Sequence, residues 1–220
     1  MAFVHLRTHT EYSVADGTLR IADAVDLAAA DGQAALAITD LSNLFGAIKL
    51  YSAARKRGVK PIIGADVWLE PTGGDKAASR LVLLVQSRQG YLNMCELLSR
   101  AWLLQEQRAS QACLKWDWLA ELNGGLIALS GAEMGAVGQA LLASDLPRAE
   151  AAAQKLAALF PNRFYIELQR AGLPGNEAHV RKAATLASAL GLPVVATHPV
   201  QFATPDDFDA HEARVCIAEG

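Results

Sequence analysis

The sequence predicts an α/β fold in which about seven strands close, or nearly close, into a barrel. Three observations predict it. Apolar bursts of strand length alternate with amphipathic stretches of helical spacing, glycines and prolines punctuate the borders, and most connections are short. Repeated βα alternation argues for a parallel sheet, with the helices laid outside it.

The strand bursts fall at residues 4–6, 35–38, 62–69, 81–85, 126–129, 164–168 and 193–196. Helical spacing covers residues 21–31, 45–57, 91–104, 147–160 and 177–190. Gly32, Gly58 and Gly191 follow three of these helices, where the chain needs a left-handed residue to leave the helix. Pro61 and Pro193 open the strands that come next. Residues 70–79 (EPTGGDKAAS) read as a loose loop that does not divide the chain. Residues 90–121 carry two helical pieces, so the barrel is expected to be irregular there. Residues 1–220 are expected to form one domain. Residues 206–218 have helical spacing that runs to the last residues, as in a fragment of a longer chain.

Composition excludes several classes. Hydrophobic residues make up 52% and charged residues 20%, which supports a packed core and not disorder. The net charge is -3, whereas a surface that grips nucleic acid by itself is normally basic. Cys95, Cys113 and Cys216 fit no zinc spacing and no disulfide framework, so reduced thiols in a cytoplasm are expected. The first residues lead straight into a strand pattern, without the basic and long apolar regions of a signal peptide. The longest apolar runs are too short to span a bilayer, so no membrane association is expected.

Chemistry in such a fold sits at the carboxyl ends of strands. Those ends read Arg7-Thr8-His9-Thr10, Thr39-Asp40-Leu41, Gly64-Ala65-Asp66 and Thr197-His198-Pro199-Val200-Gln201. A lone histidine near a strand end is more often structural than a ligand. His9 gains weight from its context, because Arg7 and His9 project from the same face of a strand and Asp16 follows closely. A His-x-His pair there would chelate metal, but arginine is a permanent cation and cannot ligate. His198 reads first as hydrogen-bonded or exposed, with a ligand in a shifted geometry as the alternative, and His211 reads as a packing residue of the last helix. Lys49, Arg55, Lys56, Arg57 and Lys60 form a basic stretch whose default reading is a solvated helix end. Trp102, Trp116 and Trp118 flank the helical excursion and read as core residues or, where exposed, partner anchors. No Gly-rich phosphate loop and no Asp-x-Asp pair of a polymerase palm appears, so nucleotide addition by this chain is not supported.

The strings FVHLRTHTEYSVADG, ALAITDLSNLFGAIKLYSAARKRGVKPIIGADV, GLIALSGAEMG, RFYIELQRAG, LPVVATHPVQF and DFDAHEARVCI run in order through the chain. Through them it resembles the N-terminal PHP (polymerase and histidinol phosphatase) domain of bacterial DNA polymerase III alpha subunits. The resemblance implies a distorted seven-stranded (β/α)7 barrel of the PHP type, placed ahead of polymerase domains that this chain lacks. It also implies nine ligand positions for a cluster of metal ions. His9 and Asp16 match those positions, and Asp66 keeps a carboxylate one methylene shorter than the usual glutamate. Arg7 and Arg80 stand for histidines, Leu41 for a histidine, Ala132 for a cysteine or histidine, and Pro199 and Gln201 for an aspartate and a histidine. Asp40 precedes the ligand position and is read as an aspartate that either steadies a neighbouring ligand or binds backbone.

Three surviving ligands beside two arginines are too few for a multinuclear centre. No cofactor is therefore expected, and Arg7 is expected to replace metal charge by pairing with Asp66 or Asp16. The resemblance implies a non-catalytic scaffold of a DNA-directed DNA polymerase. Its implied partners are the proofreading exonuclease (epsilon) subunit, the polymerase domains of the parent chain and, through them, DNA. The alternative is a metal-dependent 3′–5′ exonuclease or phosphoesterase with an atypical ligand set, using zinc, manganese or magnesium.

Overall fold

The computed structural model describes residues 3–14, 16–71, 77–104, 111–172 and 174–219. Their contacts group into two compact units, Met1–Ala65 with His198–Gly220, and Asp66–Thr197.

The first unit holds α1 (Ile21–Ala30), β1 (Ala35–Leu41), α2 (Ala47–Arg57) and the first half of β2 (Lys60–Leu69), and α8 (Phe208–Glu219) follows from the chain's end. α1 buries Ile21, Ala24, Val25 and Ala28, the spacing of one helical face. These side chains pack with Leu36, Ile38, Leu50, Ala54 and Val59 into one apolar cluster. α2 ends at Gly58, whose φ of 73° is the left-handed conformation that lets its amide turn back to the helix carbonyls. The strand expected at residues 4–6 is an extended segment with isolated bridges. Ala37 N donates to His5 O and Thr39 N to Thr8 O on one side, both at 2.9 Å. On the other side His9 N donates to Val200 O at 2.8 Å, beside the parallel bridge Thr8–Val200.

The second unit continues from β2 through β3 (Ser79–Val85), α3 (Arg88–Leu103), β4 (Cys113–Leu114), α4 (Trp116–Leu122) and β5 (Leu126–Leu129). It goes on through α5 (Ala136–Leu142), α6 (Leu146–Leu159), β6 (Phe164–Gln169), α7 (Asn176–Leu190) and β7 (Val194–Thr197). Its strand order is β2-β3-β5-β6-β7, with β4 added to β2. Phe160, Phe164, Leu69, Leu81, Leu83, Met94, Leu97, Leu114 and Leu119 are its largest fully buried side chains.

Seven strands are thus found among the described residues, and the predicted α/β class holds. The membership and direction of the strands differ from the expectation. β4 was not foreseen, because two residues carry no readable alternation. β5 and β6, and β6 and β7, pair in parallel, but β3 and β5 are antiparallel. A single crossover helix returns the chain to the end where the previous strand began. The β3–β5 connection carries α3, β4 and α4, and delivers β5 from the opposite end.

Candidate functional site

The first unit gathers His9, Asp16 and Gln201. His9 Nδ1 and Asp16 Oδ2 are hydrogen-bonded at 2.7 Å, and Gln201 Nε2 donates to Asp16 Oδ1 at 2.6 Å. His9 is buried, whereas the Asp16 side chain keeps 30% of its surface open to solvent. The loop that carries Asp16 is fastened by Asp40, which is 1% exposed at the end of β1. Its carboxylate accepts from Thr10 N at 2.6 Å, from Thr10 Oγ1 at 2.9 Å and from Ser13 Oγ at 2.7 Å. Ser13 Oγ in turn accepts from Leu41 N at 3.1 Å. Asp40 therefore binds backbone and hydroxyl groups, and the half-buried Leu41 side chain offers no ligand atom. Val14, next in this loop, has a φ of 55°. That value is rare and strained for a β-branched residue.

Arg7 is 5% exposed, which removes the possibility that it simply reaches solvent. His198 is exposed, with its ring centroid 6.4 Å from that of His5. His198 and Pro199 line a cleft of about 430 Å³ with His5, Asp31 and Gln33. Burial, and then the neighbouring His198, lower the His5 pKa below its ordinary value.

The second unit holds Asp66 on β2 and Arg80 on β3. Arg80 Nε donates to Asp66 Oδ1 at 2.8 Å and Nη2 to Oδ2 at 2.9 Å, a two-point fork. Asp66 is 0% exposed and Arg80 4%. The Arg80 guanidinium also lies over the Trp68 ring, 4.6 Å from its centroid. The sequence assigned charge replacement to Arg7. Arg80, from the neighbouring strand, is a partner of Asp66 that the sequence did not assign. Ala132, buried with a φ of 49°, follows Gly131 in a tight turn and brings only a methyl group.

Sequence reasoning passed over a polar group in the same unit. Glu167, 0% exposed in β6, accepts from Thr197 Oγ1 and from Gln169 Nε2, the latter at 2.9 Å. Its own amide donates to Ser130 Oγ at 2.9 Å. The available signal was a carboxylate inside the apolar run Phe164-Tyr165-Ile166-Glu167-Leu168. His179 on α7, 1% exposed, has its pKa lowered by burial, against the raising influence of Glu133 and Glu167.

A divalent ion needs several free oxygen or nitrogen donors around one point. Both oxygens of Asp66 are engaged by Arg80, and both oxygens of Asp16 by His9 and Gln201. Among the described residues, no group of three or more His, Cys, Asp or Glu side chains is arranged to hold a metal ion. The residues present do not fit a multinuclear metal centre.

A family profile described as the PHP domain matches residues 5–171. The DNA polymerase III subunit alpha of Pseudomonas fluorescens is 45% identical over 219 residues, which is 100% of this chain and 19% of the relative. The subunit of Neisseria meningitidis serogroup A is 48% identical, and that of Escherichia coli K12 43%, each over 99% of this chain and 19% of the relative. The chain thus spans about a fifth of the length of the curated relatives it matches. Two solved structures share the fold. A proposed metal-dependent phosphoesterase from Bifidobacterium adolescentis has a TM-score of 0.53 at 14% identity. An amidohydrolase from Chromobacterium violaceum has a TM-score of 0.56 at 15% identity, and each match covers 96% of both chains.

Proposed function

This chain belongs to the PHP domain family, and from that premise we propose that residues 1–220 are one PHP domain serving a replicative DNA polymerase III alpha subunit as a non-catalytic scaffold. The observation that carries the reading is the buried Arg80–Asp66 fork. Arg80 stands where metal-binding members of the family carry histidine, and it holds the carboxylate kept at a second ligand position. Leu41, Ala132, Pro199 and Gln201 cannot replace the ligands lost at their positions. The nine positions are a vestigial metal site whose role is now structural, and the domain needs no metal cofactor.

The parent chain is a DNA-directed DNA polymerase acting in the cytoplasm during chromosome replication. Its PHP domain supports the polymerase domains, meets DNA through them, and docks the proofreading exonuclease (epsilon) subunit. Identity of 43–48% to alpha subunits along the whole chain supports this assignment. No helix among the described residues is long and apolar enough to cross a membrane.

The test is co-elution of the chain with the proofreading exonuclease subunit at moderate salt, beside a DNA titration and metal analysis. Complex formation with weak DNA binding is expected. Stoichiometric uptake of more than one zinc or manganese ion, lost in His9→Ala and accompanied by phosphoesterase activity, would overturn the scaffold reading. Metal-bound hydroxide chemistry of the exonuclease or phosphoesterase type would then take its place.

A further inference from the structure

α2 is apolar on two sides. One side gives Ala47, Leu50 and Ala54 to the core. The other presents Phe45, Ile48 and Tyr51, which are 74%, 79% and 51% exposed. Phe45 lies in the turn that enters the helix. With Ile48, Tyr51 and Arg55 it follows the three- and four-residue spacing of one helix face. Single exposed apolar residues are ordinary, but three large ones in a row on one face mark a contact surface.

The charges around this stripe are one-sided. α2 contains no acidic residue, and its last turn is Arg55-Lys56-Arg57. Lys49 is satisfied by Glu11 at 2.7 Å and Arg57 by Asp26 at 2.6 Å. Among the described residues, Arg55 and Lys56 have no carboxylate partner. Arg55 instead donates to Tyr51 Oη at 2.9 Å and lies 5.4 Å from the ring centroid, which holds the aromatic side chain in place. Favourable placement of cations at a helix C-terminus accounts for the basic turn. It does not account for an aromatic and aliphatic stripe leading up to it.

We propose that this face of α2 docks an acidic segment of a partner protein, with apolar side chains seated on Phe45, Ile48 and Tyr51 and carboxylates on Arg55 and Lys56. The inference rests on the docking part of the proposed function and assigns it a surface. From Phe45 to Arg55 the helix rises about 15 Å. An extended segment spans that length in about five residues. The partner segment therefore carries its apolar anchors and its carboxylates close together in sequence. Two free cations beside three apolar anchors suit a protein segment better than a phosphate backbone, whose binding scales with the number of cations engaged. The chain's net charge of -3 points the same way.

The probe is the proofreading exonuclease subunit, titrated calorimetrically against the chain and three variants. Ile48→Glu is expected to weaken binding at least tenfold, as loss of a central anchor does. Arg55→Glu with Lys56→Glu is expected to weaken it roughly tenfold and to flatten its salt dependence. Ile48→Leu is expected to bind normally. All three substituted side chains are exposed, so unchanged thermal melts separate lost contact from lost folding. Wild-type binding with no effect of either charge-bearing change would overturn this surface while leaving exonuclease docking in place. No binding by the wild-type chain would overturn both. Binding of a single-stranded oligonucleotide through Arg55 and Lys56, with the exonuclease subunit unaffected, would reassign the face to nucleic acid.

Discussion

Asp16 in the first unit and Asp66 in the second are both carboxylates that the proposed function places at former ligand positions, and they are satisfied by different means. Asp16 retains contact with water and takes an imidazole and an amide as partners. Asp66 has no solvent at all and takes a full opposite charge in a two-point fork. Asp40 shows that burial alone does not force an arginine. It is as dry as Asp66, yet one amide and two hydroxyls from an adjoining loop suffice. Asp66 lies within a strand, where the surrounding amides are committed to the sheet, and a long side chain from the next strand reaches it. Burial in the sheet does not dictate the partner either, since Glu167, equally dry within β6, accepts from the Thr197 hydroxyl and the Gln169 amide.

The comparison breaks most severely at Arg80. Arg80→Ala leaves Asp66 charged and dry, and should cost on the order of 3–5 kcal/mol in chemical denaturation. Replacing the pair together, Arg80→Met with Asp66→Leu, should recover most of that loss, because an apolar pair needs no desolvation to be repaid. A cost below about 1 kcal/mol for the single change, the range of surface ion pairs, would place the pair effectively in water.

Asp40→Ala comes next. It strands Thr10 N and two hydroxyls, and a loss of about 2–3 kcal/mol is expected from charge-assisted bonds. Amide exchange at Thr10 should rise with it. If that amide stays protected, the loop is held by something other than Asp40. Gln201→Ala should cost only about 1 kcal/mol, since the Asp16 oxygen it leaves can turn to water. A loss matching that of Arg80→Ala would erase the contrast between the two carboxylates.

The smallest expected effect is on pH dependence. Burial lowers the pKa of His179, so the folded state resists the proton that the unfolded chain accepts near 6.5. The unfolded state then binds more protons, and stability must fall as pH drops below about 6.5 toward the lowered value. Above that range the contribution is complete. Comparing denaturation midpoints at pH 8 and pH 5.5 measures it, and His179→Gln should flatten the difference. His5 is shifted in the same direction but is less buried, so His5→Gln should flatten it less.

Much of this arrangement was legible in the sequence because it is local. Helical spacing located α1, α2, α3, α6 and α7, and Gly58 and Gly191 fixed two of their ends through backbone conformation alone. The residue types along the strand ends were also readable, including Arg7 and Arg80, which cannot ligate a metal. Asp40 does accept from a backbone amide, that of Thr10, as one of the two sequence readings expected.

What only the tertiary structure decided is which side chain meets which. Alternation along a strand tells that Arg7 and His9 share a face, but it is silent about the neighbour across the ladder. The register and order of strands set that neighbour, and they bring Arg80 onto Asp66 from a residue 14 positions away. The same limit hid the reversal of β3 against β5, two strands joined through α3, β4 and α4. It also hid Glu167, whose partners Thr197 and Gln169 come together only when β6 and β7 pair. Backbone preferences and the hydrophobic pattern act within a few residues, so sequence determines elements and their faces. Pairing a buried charge is a contact between distant segments, and the sheet that carries both partners makes the choice.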